Sequence, residues 1–193
     1  MRFSPLLVSG LIVEPLRYFF ANYAKQNLLV WDPDDKIRTI DIGTVNDYNG
    51  IKLEDTPRIL IDRGTYSIEK TGLTDNLAQS KGVKELFGAS QRINMVYIRG
   101  VASIIIEARN EGTCELVADM VSHFIIWSRP LLCDTQGFNE FGMPMQVSAC
   151  QPGKENVEKF QVTISVPYMM EEDWKVNQDA LKLKGFFTDL TFS

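Results

Sequence analysis

The chain has 193 residues, of which 45% are apolar and 23% charged, and its net charge at pH 7 is −5. This balance is typical of a folded globular protein and excludes an intrinsically disordered chain. The acidic charge, with Lys and Arg scattered and without a basic run, argues against a protein dedicated to nucleic-acid binding. The length fits a single domain spanning residues 1–193.

The cysteines and the N-terminal segment indicate the cellular compartment in which the protein is expected. Three widely spaced cysteines, Cys114, Cys133 and Cys150, favour a reducing compartment over a disulfide framework. A secretory signal is disfavoured because Glu14 and Arg17 interrupt the first apolar stretch and no A-x-A cleavage site follows. No uninterrupted apolar run approaches the ~20 residues of a membrane span, so no membrane partner is expected.

The first segment predicts an amphipathic helix. Glu14, Arg17 and Lys25 fall together on its polar side, and Pro15 is expected either to kink the helix or to start it afresh. The apolar residues that recur at helical spacing, and are therefore expected in the core, are Ile12, Leu16, Phe19, Phe20 and Tyr23.

Short strands separated by turns are predicted next. The stretch WDPDDK, residues 31–36, is a turn, and residues 36–45 are interpreted as a first strand with imperfect alternation. Residues 56–70, TPRILIDRGTYSIEK, predict two short strands around a turn at Asp62–Gly64.

A change of character follows at residues 71–90, which are polar and rich in Gly and Ser. A long insertion of this kind in a domain is usually functional or disordered. Residues 91–110, QRINMVYIRGVASIIIEARN, then predict either a strand pair or one long bent strand, with Gly100 as the bulge or bend.

The stretch Glu111–Trp127 predicts a second amphipathic helix, and Pro130 is expected to lie just past its end. Cys114 and His123 are nine residues apart, half a turn out of phase, so they cannot form a nucleophile–base pair. We expect Cys114 in the core and His123 at its boundary. The residues of the predicted buried stripe are Val117, Met120, Val121, Phe124 and Trp127.

Two alternating strands joined by the QPGKEN loop predict an antiparallel hairpin near the end. Pro144 indicates that the first of them is at or near a sheet edge. The segment 171–193 is open to two interpretations, a short helix or an extended arm that ends in aromatic residues. The buried face of the first strand is expected to hold Phe141, Met143, Met145, Val147 and Ala149, and that of the second Phe160, Val162, Ile164 and Val166.

Motifs for chemistry are missing from the sequence. It contains no GxxxxGK[ST], GxGxxG or GxSxG motif, and one histidine with dispersed cysteines does not supply a zinc site. We therefore predict no catalytic, cofactor-binding or metal-binding residues. Glu107 and Arg109, at the end of a strand just before a helix, are the best candidates for the alternative of a small cytoplasmic enzyme or ligand-binding domain.

These elements together predict an α+β fold. It consists of a mixed, mainly antiparallel sheet packed against one or two helices, with a long loop insertion at 71–90 and a possible C-terminal arm at 171–193.

The order of elements over Pro57–Pro167 resembles that of the tail-terminator and tail-completion proteins of tailed bacteriophages. The features that carry the resemblance are strands ending in VASIIIEARN, a helix from Glu111, and the hairpin EFGMPMQVSAC…EKFQVTISVPY. The resemblance implies a non-enzymatic virion protein, made in the host cytoplasm. Such proteins form a homo-oligomeric ring, usually hexameric, that caps the tail tube and joins it to the head connector.

Two sequence features are compatible with such a ring. The aromatic residues Phe186, Phe187 and Phe192 are candidate anchors of an arm that orders on a neighbouring subunit. An acidic surface would also let DNA pass through the ring without specific binding, because like charge repels phosphate.

Overall fold

The computed structural model describes residues 5–22, 29–34, 36–48, 56–70, 91–153 and 159–177. At its centre, two 18-residue strands pair antiparallel along their whole length. Their apolar residues alternate, so that Ile104 and Ile164, for example, are fully buried on the same face. The predicted alternation of the last strand is confirmed at Val162, Ile164 and Val166.

In the described ranges, eight strands form one mixed sheet in the order β1-β2-β4-β8-β5, with β3 beside β4 and β6 and β7 beside β8. Only β1 and β2 pair in parallel, and every other pairing is antiparallel. The predicted α+β class is therefore confirmed. The strands are β1 (Asp41–Thr44), β2 (Arg58–Asp62), β3 (Tyr66–Lys70), β4 (Gln91–Ala108), β5 (Phe138–Phe141), β6 (Gln146–Val147), β7 (Gln151–Pro152) and β8 (Phe160–Asn177).

Two α-helices of the described part of the chain, α1 (Pro5–Asn22) and α2 (Glu111–Gln136), pack on the sheet, α1 against β1 and β2 and α2 against β4, β5 and β8, and a short 3-10 helix at Val45–Tyr48 follows β1. Helix α2 is capped at its N-terminus by Asn110, whose side chain accepts a hydrogen bond from the Gly112 amide at 2.8 Å, and at its C-terminus by Gly137, which adopts φ 77°.

The prediction that α2 ends before Pro130 is wrong, because the helix continues to Gln136 with Pro130 inside it. The side chain of Pro130 is exposed, while Ser128 and Leu132 on either side of it are buried. Packing of Leu132 in the hydrophobic core offsets the missing backbone hydrogen bond, so tertiary contacts override the local stop signal.

Helix α1 confirms most of its predicted stripe, since Ile12, Leu16 and Phe20 are fully buried. Pro15 lies inside the helix and does not end it. Arg17 was expected on the exposed side, but it is only partly exposed because its guanidinium binds the end of the sheet. The predictions for Tyr23 and Lys25 lie outside the described residues, as do those for 71–90.

The first predicted strand is shorter than expected, at Asp41–Thr44. The next two strands, β2 and β3, do not pair with each other, since both pair with β4, one after the other. The turn between them requires glycine at position 64. Gly64 has φ +62°, and a Cβ added there would clash with the Val101 carbonyl oxygen.

Gly100 was expected to mark a bulge or bend, and the bulge is ruled out. Pairing of β4 with β8 runs through Arg99, Gly100 and Val101 without a register shift. Glycine is needed there for space, because the ring of Tyr168 on the neighbouring strand covers its Cα.

The edge next to β8 is made of three short pieces, β5, β6 and β7. This confirms that Pro144 lies at an edge, where the chain also has a cis peptide bond between Met143 and Pro144. The prediction of one shared buried face is wrong, because Phe141 is buried whereas Met143 and Val147 are exposed. The breaks between the short pieces interrupt the alternation of faces on which that prediction depended.

Residues 171–177, which the sequence left open between helix and extended arm, continue β8. Beyond Val96 of β4 and Met170 of β8, among the residues that the structure describes, the two strands pair only with each other, out to Gln91 and Asn177. We call this two-stranded extension the ribbon.

Candidate interaction site

Two aromatic side chains join α1 to α2. Phe19 of α1 and Phe124 of α2 contact each other with ring centroids 5.3 Å apart, at a tilt of 48°. This distance is within the range that aromatic pairs prefer. Phe124 is almost fully buried, and Phe19 is partly buried at the margin of the core.

Above this pair the surface forms a groove of about 580 Å³. Its rims are Tyr18 on α1 and Trp127 and Leu131 on α2, with exposed fractions of 63%, 74% and 57%. We call the surface formed by these five residues the helix groove. Exposed apolar residues that lie next to one another mark interaction sites far more often than scattered ones do, and aromatic residues are enriched in such sites.

The sequence prediction placed Trp127 in the core, and that prediction is wrong. The buried stripe of α2 continues through Ile125, Ser128 and Leu132, and this turns Trp127 outwards. A helix that runs past Pro130 places Trp127 and Leu131 one turn apart on the same exposed face. Because the helix was predicted to stop early, this pairing was missed.

Cys114 and His123 lie on opposite sides of α2, as predicted from their spacing. Cys114 is fully buried, with its sulfur 3.6 Å from the Ile106 carbonyl oxygen and 3.5 Å from that of Phe160. His123 is exposed, and its Nδ1 lies 2.9 Å from the Asp119 carbonyl oxygen.

Burial, reinforced by the neighbouring Cys150 thiol, raises the pKa of Cys114 from 9.0 to about 12. A neutral, buried thiol is a poor nucleophile, so Cys114 acts as a core residue. Cys150, next to β7 at the sheet edge, lies beside Cys114, and no local pattern in the sequence predicts this contact between residues distant along the chain. Both cysteines are free thiols.

Glu107 lies on the sheet surface, where Arg58 of the adjacent strand binds it. Its Oε2 is 2.6 Å from Arg58 Nη2 and 2.8 Å from Arg58 Nε, and both side chains are largely covered. The pair joins β2 to β4 at positions that are directly opposite in the sheet. Neither Glu107 nor Arg109 lines the helix groove or the smaller cavity of about 250 Å³ near Thr44.

Within the described ranges, no group of three or more His, Cys, Asp or Glu side chains is placed to hold a metal ion. The predicted anchors Phe186, Phe187 and Phe192 lie outside the described residues. Helix α2 is long and apolar enough to cross a membrane by length and composition, but 44% of its apolar stretch is buried inside the protein. The core helix of a soluble protein meets the same criterion.

Comparison with known proteins finds no family model and no curated sequence that matches this chain.

Proposed function

We propose that this protein is a bacteriophage virion structural protein at the head–tail junction. As a tail terminator, it forms a homo-oligomeric ring, hexameric in the usual case, that caps the tail tube and joins it to the head connector. The observation that carries the proposal is the helix groove, an aromatic surface on the outside of an α+β fold. A surface of this kind is typical of a subunit that assembles with others.

The ribbon supports the same proposal. Between residues 91–95 and 173–177 the backbone of β4 and β8 has no further strand beside it among the described residues. Two strands alone are marginally stable in water, and their open edges readily accept a strand of another chain. Contact with a neighbouring subunit would stabilise the ribbon and would pair its open edges.

The charge of the chain is compatible with a ring around DNA. A net charge of −5 disfavours tight binding to phosphates. DNA would then pass along the axis without specific binding.

Light scattering combined with negative-stain imaging of the purified protein, alone and mixed with phage tail tubes, tests the proposal. We expect rings, or discs seated at one end of each tube. A protein that stays monomeric alone and leaves the tube ends bare would overturn it. Tube, tape-measure or connector genes beside its own gene would add independent support.

The alternative, an enzyme or ligand-binding domain that uses the sheet rim at Glu107 and Arg109, has weaker support. The contact between Arg58 and Glu107 already explains the carboxylate as a link between strands. Glu107→Ala and Arg109→Ala test this alternative, and unchanged ring formation and tube capping by both variants would remove its best candidates.

A further inference from the structure

We propose that the helix groove of one subunit binds the paired phenylalanines Phe186 and Phe187 of a second copy of this chain. This inference rests on the proposed homo-oligomeric assembly and names the contact that holds it together. The groove requires an apolar, aromatic occupant, and the C-terminal segment LKLKGFFTDLTF supplies one.

The chemistry of the groove matches phenylalanine. Its floor is the contact between Phe19 and Phe124, and its rims are the exposed rings of Tyr18 and Trp127. Inserted rings would meet aromatic partners on three sides, at the offset or edge-to-face geometry that such pairs prefer. A cavity of about 580 Å³ is also within the size range of sites that enclose a ligand.

Charge on the two surfaces is complementary. Glu14 lines the groove and is 72% exposed, with one oxygen bound by Arg17, and Asp119 is 69% exposed two turns before Trp127 on α2, next to His123. In the C-terminal segment, Lys182 and Lys184 lie four and two residues before Phe186. The lysines would therefore lie near these carboxylates when the rings enter the groove, which favours this orientation of the segment.

The position of the end of β8 favours a second copy over the same subunit. Gln136, the last residue of α2, lines one end of the groove. Two residues later, Phe138 pairs with Met170 of β8. Strand β8 then continues for seven more residues to Asn177. Those residues carry the chain ~23 Å away along the ribbon.

Phe186 is nine residues past Asn177, a reach of at most ~32 Å. A return to the same subunit would have to cover that ~23 Å and also cross the helix layer, which is ~10 Å thick. Because these displacements are at right angles, they combine to ~25 Å, so only about two residues of chain would remain for the reversal of direction. A groove on an adjacent subunit, ahead of the ribbon, does not need that reversal.

Paired variants of the full-length chain test the inference. The groove variant is Trp127→Ala with Leu131→Ala, and the tail variant is Phe186→Ala with Phe187→Ala. Leu116→Ala, 44% exposed on the same helix but outside the groove, is the matched control. Sedimentation velocity should show the control assembling at the same protein concentration as the parent. Each double variant should need at least a tenfold higher concentration to assemble. Circular dichroism verifies that each variant is folded.

Mixing the two variants separates a contact between copies from a contact within one copy. A mixture offers one intact tail and one intact groove, so it should form one-to-one pairs that neither variant forms alone. The emission of Trp127 in the tail variant should shift to shorter wavelength on mixing. If mixing restores nothing, or if the tail variant alters Trp127 emission without altering the mass, the contact between copies is wrong. Rings that survive both double variants would overturn this inference while leaving the proposed ring function in place, and a parent protein that never self-associates would overturn both.

Discussion

At the scale of single residues, the contact between Gly100 and Tyr168 shows how one side chain dictates its neighbour across a strand pair. Tyr168 is 3% exposed and lies edge-on to Phe138, so its ring has no room to move. A Cβ at position 100 would lie 2.8 Å from Tyr168 Cε1. The glycine is therefore a packing requirement of the central strand pair.

We predict that Gly100→Ala lowers the free energy of unfolding by about 1–3 kcal/mol, because the buried ring must shift. Urea denaturation measures the change. Tyr168→Phe is the matched variant, since the Tyr168 hydroxyl is buried and has no hydrogen-bond partner among the described residues. Its removal should be neutral or stabilising. If Gly100→Ala leaves the free energy of unfolding unchanged, the ring of Tyr168 does not lie over position 100.

Cys114 gives a pH-dependent prediction. Its pKa is about 12 in the folded protein and 9.0 for an ordinary thiol, so between these values the unfolded chain loses a proton that the folded chain keeps. Stability therefore falls as pH rises above about 9, by up to about 1.4 kcal/mol per pH unit from this one group. Unfolding free energies measured at pH 7.5 and 10 test this.

Cys114→Ala should lose this part of the pH dependence while being less stable at pH 7.5, because a buried side chain is truncated. The variant keeps some fall in stability with rising pH, because burial also raises the pKa of Tyr168. Equal slopes in the parent and the variant would contradict a buried neutral thiol at position 114.

At the scale of elements, Arg17 attaches α1 to the sheet. Its Nε and Nη2 donate to the Ile42 carbonyl oxygen at 3.1 and 2.9 Å, and its guanidinium lies 5.0 Å from the centre of the Trp31 ring. Strand β1 is at the sheet edge, so this carbonyl receives its hydrogen bonds from a helix side chain.

We predict that Arg17→Ala destabilises the protein by about 1–3 kcal/mol, because a partly buried carbonyl loses charge-assisted hydrogen bonds. Thermal and urea unfolding give the value. Glu14, which also binds Arg17, is mostly exposed, so Glu14→Ala is the control and should change stability by no more than about 0.5 kcal/mol. Equal losses in the two variants would mean that the helix is held only by its apolar stripe.

At the scale of the whole molecule, the buried residues of both helices and of the sheet form one hydrophobic cluster. It extends from Val8 in α1 through the central strands to Tyr168 in β8. The described residues of this cluster already join both helices to the sheet, so we expect the subunit to fold without the C-terminal segment.

We predict that deletion of Leu181–Ser193 leaves a folded subunit that no longer assembles. Circular dichroism and a cooperative unfolding transition would establish the fold, and light scattering the mass. A truncated protein that unfolds as a monomer would place the segment in its own core and refute the role as an arm.

Local patterns in the sequence were enough to predict much of the fold and little of the site. Alternation in β8 and the helical spacing of α2 were read correctly at Ile164 and Val121, because each element's own period decides which side chains share a face. The half-turn offset between Cys114 and His123 followed from the same geometry. The helix groove did not, since it depends on how far α2 continues and on which helix lies beside it.

The sequence by itself determined the class of fold, the late hairpin and the separation of Cys114 from any base on its own helix. Only the tertiary structure decided that Trp127 faces outwards, that Arg17 binds a strand carbonyl and that Cys150 lies beside Cys114. The physical reason is range: periodicity and capping act within a few residues, whereas the partner of a side chain is chosen by packing between elements far apart in the chain.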